Sequence, residues 1–90
     1  DEHDLHSVVA KKLSDDEYIF SGRAEIDYLN ETFNLELPES DDYVTVAGLI
    51  LNYYQKFPKL NESVEIDNYT FKIVKATATK IELVRMKVEN

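Results

Sequence analysis

The 90-residue sequence has no cysteine, no tryptophan, two glycines, two prolines and two histidines. Without cysteine the chain can form neither disulfides nor thiolate sites. Gly22 and Gly48 lie too far apart to form a glycine-rich, phosphate-binding loop. His3 and His6 both lie in the polar first seven residues, so a Ser-His or Cys-His pair has no base in the rest of the chain. We therefore expect a protein that is not an enzyme.

Long hydrophobic runs are also missing. The longest, Val46–Leu51 with Gly48 included, is far too short to span a membrane. A length of 90 residues corresponds to one domain. With 43% hydrophobic and 31% charged residues, the composition is typical of a globular domain rather than a disordered segment.

Positive charge is scarce, and the net charge of −8 argues against a nucleic-acid-binding protein. The charge is uneven along the chain. Residues 1–45 hold 13 acidic and 3 basic side chains, whereas residues 46–90 hold 5 acidic and 7 basic side chains. One interpretation is an ordinary solvated acidic half. The other is an oriented surface, acidic on one side and mildly basic on the other, that docks on a partner.

The first half of the chain predicts a hairpin and a short helix. The β-prone segments Val8–Leu13 and Tyr18–Phe20 flank an acidic turn, and Gly22 ends the second strand. Over Glu25–Phe33, apolar residues recur at helical spacing. The residues of this stripe are Ile26, Leu29 and Phe33.

A second helix is predicted from Thr45 to about Phe57, ended by Pro58. The Thr45 hydroxyl is well suited to cap its first turn. Gly48 inside the helix costs about 1 kcal/mol relative to alanine, which a close approach of another backbone would explain. The apolar stripe, which we expect in the core, consists of Val46, Leu49, Ile50, Tyr53, Tyr54 and Phe57.

Three strands are predicted after this helix, at Val64–Ile66, Tyr69–Val74 and Ile81–Val88, with a two-residue turn at Asp67-Asn68. The apolar residues of the last strand change parity along its length, which indicates a β-bulge. The order β-β-α-α-β-β-β predicts an α+β fold with a mostly antiparallel sheet.

The sequence gives little indication of a metal site. The acidic clusters at residues 15–17 and 39–42 lack the alternating ligand spacing of an EF-hand loop. A turn explains the first cluster, and favourable charge before the second helix explains the other. Asp41 and Asp42 would repel a phosphate from the amino end of that helix. We expect no metal and no cofactor.

Three motifs follow one another along the chain: I-D-Y-L-N at Ile26–Asn30, L-E-L-P at Leu35–Pro38 and D-D-Y-V-T-V-A-G-L-I at Asp41–Ile50. Preceded by Gly22 and followed by three predicted strands, they resemble the transporter-associated domain of the CorC/HlyC family. The resemblance covers Val8–Val88. The Asp67-Asn68 turn departs from it, since many members have glycines there.

The resemblance implies a carboxyl-terminal, non-catalytic domain of a hemolysin-like or magnesium and cobalt efflux protein. Residues 1–7 then correspond to a linker that follows a pair of CBS domains, and residues 8–90 to the domain itself. The implied partners are the CBS pair and an integral-membrane domain, on the cytoplasmic side of the plasma membrane, and a homodimer is compatible with the sequence. The implied function is modulation of ion transport. Because the fold is similar to part of flavin-binding domains, the alternative is a sensor of an adenine nucleotide or flavin (FAD).

The family motif residues have scaffold roles by their chemistry, with Thr45 as helix cap and Gly48 as a close-packing site. The full set is Gly22, Leu29, Pro38, Asp42, Thr45, Gly48, Leu49 and Ile50. Arg85 and Lys87 share one face of the last strand, and the register of the hairpin decides whether Lys72 joins them. This basic strip is the predicted interaction surface.

Overall fold

The computed structural model describes residues 9–89. Its elements are β1 (Ala10–Lys12), β2 (Glu17–Ser21), α1 (Ile26–Phe33), α2 (Val46–Tyr54), β3 (Ser63–Ile66), β4 (Tyr69–Ala76) and β5 (Ile81–Val88). The strands form one antiparallel sheet in the order β1-β2-β5-β4-β3. The predicted α+β class and element order are confirmed. The predicted linker and both histidines lie outside the described residues.

The sheet buries one of its two faces, which we call the inner face. Because side chains alternate along a strand, residues paired across the sheet project to the same side. One buried row on the inner face consists of Tyr18, Met86, Phe71 and Val64. The helices add Ile26, Leu29, Val46, Leu49 and Ile50 to the same hydrophobic core. Neither helix within residues 9–89 is long and apolar enough to cross a membrane.

The pairing of β4 with β5 is irregular near the turn that joins them. Ile73 pairs with Val84, but the next pairs are Lys75 with Leu83 and Ala76 with Ile81. One residue is therefore extra in β5 and one in β4. The extra residue in β5 lets Ile81 and Val84 both be buried despite their opposite parity. The predicted bulge of the last strand is confirmed, and the irregularity in β4 is additional.

The second helix is shorter than predicted. It ends at Tyr54, because Gln55 adopts a left-handed conformation with φ 64° and donates its N–H to the Leu51 carbonyl at 2.8 Å. The chain thus turns away before Pro58, and Phe57 is not on the helix. Phe57 is 37% exposed and Tyr53 is 48% exposed, so the prediction that both lie in the core was wrong.

The extended segment between the helices is held by side chains. The Asn30 amide group accepts from the Leu37 N–H at 2.9 Å and donates to the Leu37 carbonyl at 3.0 Å. The Glu36 N–H donates to the Tyr69 hydroxyl at 2.8 Å. The L-E-L-P motif therefore owes its position to Asn30 of the preceding motif and to a tyrosine of β4.

Candidate functional site

A cavity of about 520 Å³ opens at the end of the sheet where β2 ends and β5 begins. Four parts of the chain line it: the end of β2 with the turn after it, α2 from its cap Thr45 to Leu51, the loop that follows α2, and the β4–β5 turn with the start of β5. Its polar lining residues include Ser21, Arg23 and Lys80. Its apolar side chains include Ala47, Leu51 and Phe57.

Gly22 joins the parts that surround this cavity. Its N–H donates to the Glu82 carbonyl at 3.0 Å, and its carbonyl accepts from the Ala47 N–H at 2.9 Å. A Cβ atom at this position would lie 2.0 Å from the carbonyl oxygen of Ile81. Only glycine allows β5 and α2 to approach the turn so closely. Gly22 does end β2, as predicted. The close approach of another backbone, which we expected at Gly48, occurs at Gly22 instead.

The amino end of α2 is already occupied by the protein itself. The Val46 N–H donates to the Ala24 carbonyl at 3.0 Å, and the Ala47 N–H donates to Gly22. The Gly48 N–H donates to the Thr45 hydroxyl at 3.2 Å, which confirms the predicted cap. Since these early amides have acceptors, the helix terminus does not offer them to an anion. Any anion held in the cavity would depend on side chains.

Ser21 is the buried polar residue of the cavity. It is 2% exposed, and its hydroxyl oxygen has no hydrogen-bond partner among residues 9–89. Its backbone N–H is used, since it donates to the Val9 carbonyl at 2.7 Å. A buried hydroxyl without a partner is unfavourable, because it has lost its bonds to water.

The cavity wall also carries charge of both signs. Arg23 and Lys80 are exposed, whereas Glu82 is half-buried. The Glu82 carboxylate lies 3.7 Å from the Lys75 ammonium group, which offsets its charge. The cavity wall therefore holds two exposed cationic side chains and one half-buried carboxylate.

A second feature is the other face of the sheet, which we call the outer face. Strand register places Lys11, Arg85 and Lys72 in one row across β1, β5 and β4, with Ile19 of β2 among them. Lys87 lies in the next row, which also holds Glu17, Thr70 and Glu65. Lys72 therefore does share the face of Arg85 and Lys87.

The basic residues of the outer face are not equivalent. Arg85 is bound to Glu17, whose carboxylate lies 3.0 Å from the guanidinium group. Among residues 9–89, Lys72 and Lys87 form no ion pair. The charge available to a partner therefore comes more from these two lysines than from Arg85.

The loop after α2 is fixed by one carboxylate. Glu62 accepts hydrogen bonds from the Tyr54 hydroxyl and, at 2.7 Å, from the Lys59 N–H. The bond from Tyr54, followed by the bond from Lys59, lowers the pKa of the Glu62 carboxyl. The same bond to Glu62 raises the pKa of Tyr54.

Comparison with known proteins identifies the family to which this arrangement belongs. The model of the CorC_HlyC family, described as a transporter associated domain, matches residues 11–90. The chain belongs to this family. The resemblance drawn from the three motifs is confirmed.

Relatives of this transporter-associated domain are longer proteins. Hemolysin C of Brachyspira hyodysenteriae is 31% identical over 93 residues, which cover all of this chain and 35% of the relative. The magnesium and cobalt efflux protein CorC of Buchnera aphidicola is 34% identical over 83 residues, which cover 90% of the chain and 28% of the relative. The domain thus spans about a third of the length of these relatives.

The fold is also found in solved structures. A conserved protein of unknown function from Haemophilus influenzae matches with a TM-score of 0.78 at 30% identity, over 89% of this chain and 98% of the other. The hemolysin domain from Enterococcus faecalis has a TM-score of 0.76 at 28% identity. The similarity extends over nearly the whole domain.

Two of the family motif residues, Gly22 and Thr45, line the cavity. The others lie elsewhere: Leu29, Leu49 and Ile50 are fully buried in the core. The remaining three lie in or before α2 along the chain. The Pro38 carbonyl accepts from the Tyr43 hydroxyl at 2.7 Å, the exposed Asp42 donates its N–H to Ser40 at 3.0 Å, and Gly48 packs against Tyr43.

Sequence reasoning did not single out Ser21, Arg23 or Phe57 as cavity residues. No periodic signal marks the first two, since they flank a turn, and Phe57 was assigned to the core by its helical spacing.

The acidic clusters do not come together in the fold. Within residues 9–89 no three or more His, Cys, Asp or Glu side chains are grouped as a metal site would require.

Proposed function

We propose that this domain is a non-catalytic accessory part of a larger ion-transport protein of the magnesium and cobalt efflux type. It modulates transport by docking its outer face on an acidic surface of a neighbouring domain, the CBS pair of the same protein, on the cytoplasmic side of the membrane. The names of the relatives and their greater length support this proposal.

The observation that carries the proposal is the basic outer face on a chain of net charge −8. Strands lie about 4.8 Å apart, so the row from Lys11 to Lys72 spans about 14 Å. Half-buried Ile19 and Leu83 lie among the basic residues and add apolar surface. A sheet face with apolar residues between cations suits an acidic protein surface, because such a surface supplies both burial and opposite charge.

A protein partner fits better than an anionic membrane. The acidic residues that dominate positions 1–45 repel a surface of uniform negative charge, whereas a protein partner can present acidic groups to the outer face alone. Docking within one chain also raises the effective concentration of the partner, so a weak interface is sufficient.

The test is charge reversal in the full-length protein. We expect Lys72→Glu combined with Lys87→Glu to alter Mg²⁺ or Co²⁺ efflux by severalfold without unfolding the domain, since exposed substitutions cost under about 0.5 kcal/mol. Lys12→Glu with Lys59→Glu changes the charge equally at exposed sites away from the outer face and serves as control.

Equal efflux in both double variants and the unaltered protein would contradict the proposal. Binding of the 90-residue chain to vesicles rich in anionic lipid, lost in the Lys72/Lys87 variant, would contradict the protein partner and assign the outer face to the membrane.

A further inference from the structure

The chain enters the fold beside the cavity. Val9 is the first of the described residues, and its carbonyl accepts from the N–H of Ser21, a residue of the cavity lining, at 2.7 Å. Successive residues of β1 pair with progressively earlier residues of β2, so β1 leads away from this end of the sheet. Followed backwards from Val9, the chain therefore runs towards Gly22 and the cavity.

The residues before Val9 are numerous enough to cross the cavity. β1 and β5 lie on either side of β2, so about 10 Å, two strand spacings, separates them. An extended chain advances about 3.3 Å per residue, so residues 1–8 can reach about 26 Å. This length is sufficient to pass over the turn at Gly22 and arrive at the β4–β5 turn.

Residues 1–7, which we call the lead segment, are acidic where the cavity wall offers cations. Arg23 and Lys80 are exposed residues of the lining, and within residues 9–89 Lys80 forms no ion pair. The carboxylate of Glu82 lies 3.7 Å from the ammonium group of Lys75, so it has a cation of its own. The acidic residues of the lead segment are Asp1, Glu2 and Asp4. Because this segment is tethered beside the cavity, its effective concentration there is higher than that of a separate molecule.

The apolar part of the cavity also has a counterpart in the lead segment. Leu5 is the apolar residue of residues 1–7. In the cavity, Leu51 is half-buried and Phe57 is 37% exposed. Successive side chains of an extended chain point to opposite sides, so Leu5 can face these residues while Asp4 faces the rim. Covering apolar surface in this way is favourable, because it removes that surface from water.

We propose that the lead segment docks over this cavity. Its carboxylates lie near Lys80 and Arg23, and Leu5 lies against Leu51 and Phe57. The docked segment fixes the path by which the chain enters the domain, and thereby the position of the domain relative to residues that precede it in a longer protein. This docking surface is separate from the outer face of the sheet.

The first test uses the absence of cysteine from the chain. His3→Cys provides a single site for a nitroxide label in the 90-residue chain, and NMR measures the loss of backbone amide signals near the label. We expect the amides of Leu51 and Lys80 to lose most of their intensity, whereas those of Lys72 and Lys87, which do not line the cavity, keep theirs. Signal loss centred on Lys72 and Lys87 would place the lead segment on the outer face and overturn the proposal.

Charge substitutions in the labelled chain test whether the contact is specific. Lys80→Glu should restore most of the Leu51 signal without unfolding the domain, because Lys80 is exposed. Neutralising the lead segment by Asp1→Asn, Glu2→Gln and Asp4→Asn should have the same effect, and combining both changes should add little, since they remove one interaction. A signal pattern that is the same in Lys80→Glu as in the unaltered chain, or additive effects of the two changes, would contradict the docking.

The outer-face variant separates this proposal from the proposed function. Lys72→Glu with Lys87→Glu changes the charge of the domain but not of the cavity lining, so the signal loss at Leu51 and Lys80 should remain. Restoration of these signals equal to that in Lys80→Glu would show a general attraction between the acidic segment and the domain, and would overturn the assignment to the cavity.

Leu5→Ser tests the apolar contact. It should restore part of the Leu51 signal, because the leucine no longer covers the apolar wall. Leu13→Ser changes a leucine that is 47% exposed and does not line the cavity, and it should leave the pattern unaltered. Equal patterns in the two variants would contradict the contact between Leu5 and the cavity.

A mixture of two samples distinguishes docking within one chain from exchange between copies. Isotope-labelled chain without nitroxide is mixed with nitroxide-labelled chain without isotope. We expect no localised signal loss, because each lead segment docks on its own domain. Loss at Leu51 and Lys80 in this mixture would show that copies exchange their segments, and would overturn docking within the chain.

Discussion

At the scale of single residues, the two glycines have different functions that their sequence contexts do not reveal. Gly22 lies against the backbone of Ile81, and no side-chain movement can relieve that contact. At Gly48 the nearest atom to a built Cβ is the Cβ of Tyr43, at 2.8 Å. Alanine at Gly48 also gains helix propensity, which offsets part of the strain.

We therefore expect Gly22→Ala to destabilise the domain by at least about 3 kcal/mol, because β5 must move away from the turn. Gly48→Ala should cost only about 1 kcal/mol, since the helical gain opposes the contact with Tyr43. Urea unfolding monitored by circular dichroism gives both values. Equal losses would show that the turn at Gly22 can move freely.

A second effect at this scale is the pH dependence caused by Glu62. Its pKa is lowered in the folded state, so its contribution to stability is present above its ordinary pKa and is lost as the pH falls through the lowered value. The Tyr54 pKa is raised, so its contribution is present below the ordinary tyrosine pKa and is lost as the pH rises through the raised value.

Tyr54→Phe should bring the pKa of Glu62 back toward its ordinary value, because the tyrosine hydrogen bond is the largest cause of the shift. The loss of stability in acid should then be smaller than in the unaltered domain. Carboxyl NMR titration measures the pKa, and Tyr28→Phe at an exposed position is the control. A Glu62 pKa that is the same in both variants would assign the shift to the Lys59 N–H instead.

At the scale of elements, α2 is held in place mainly by its buried side chains and by its amino end. Val46, Leu49 and Ile50 are fully buried on one side of the helix, and its amino end is bonded to the turn after β2. The short helix is therefore held by the hydrogen bonds of its first turn and by the packing of three buried side chains. Its last turn, which ends at Gln55, leaves Tyr53 exposed.

Leu49→Ala should lower the free energy of unfolding by about 2–5 kcal/mol through the cavity it leaves. Leu60→Ala removes the same atoms from a side chain that is 56% exposed, and should cost less than about 1 kcal/mol. Thermal and urea unfolding of both variants provide the comparison. Similar melting temperatures would place the core elsewhere.

At the scale of the whole molecule, the strand order of the sheet determines which charged side chains lie next to one another. The acidic first half of the sequence and the basic last strands meet in one fold, and the Glu17–Arg85 ion pair links β2 to β5.

If the outer face docks on an acidic partner, the effect of the Lys72 and Lys87 reversal should be largest at low salt. Exposed charges are screened beyond about 10 Å at 0.1 M salt, so the difference from the control variant should shrink as salt is added.

The sequence alone determined the class of fold, the order of its elements, most of the core and the family. These features follow from local periodicity, from Thr45 as a cap and from three ordered motifs, which depend on residues close together along the chain. The same local reasoning placed Phe57 in the core, because it assumed that the helix continued to Pro58. The left-handed Gln55 ends the helix earlier, and periodicity does not report that conformation.

Only the tertiary structure decided where the cavity lies and which basic residues share a face. Gly22 is bonded to Glu82, and Lys11 shares a row with Lys72, although both pairs are distant in sequence. Such neighbours are set by strand order and register, which are properties of the assembled sheet. The burial of the Ser21 hydroxyl, which has no hydrogen-bond partner within residues 9–89, is likewise a result of packing, because the surrounding elements separate it from water.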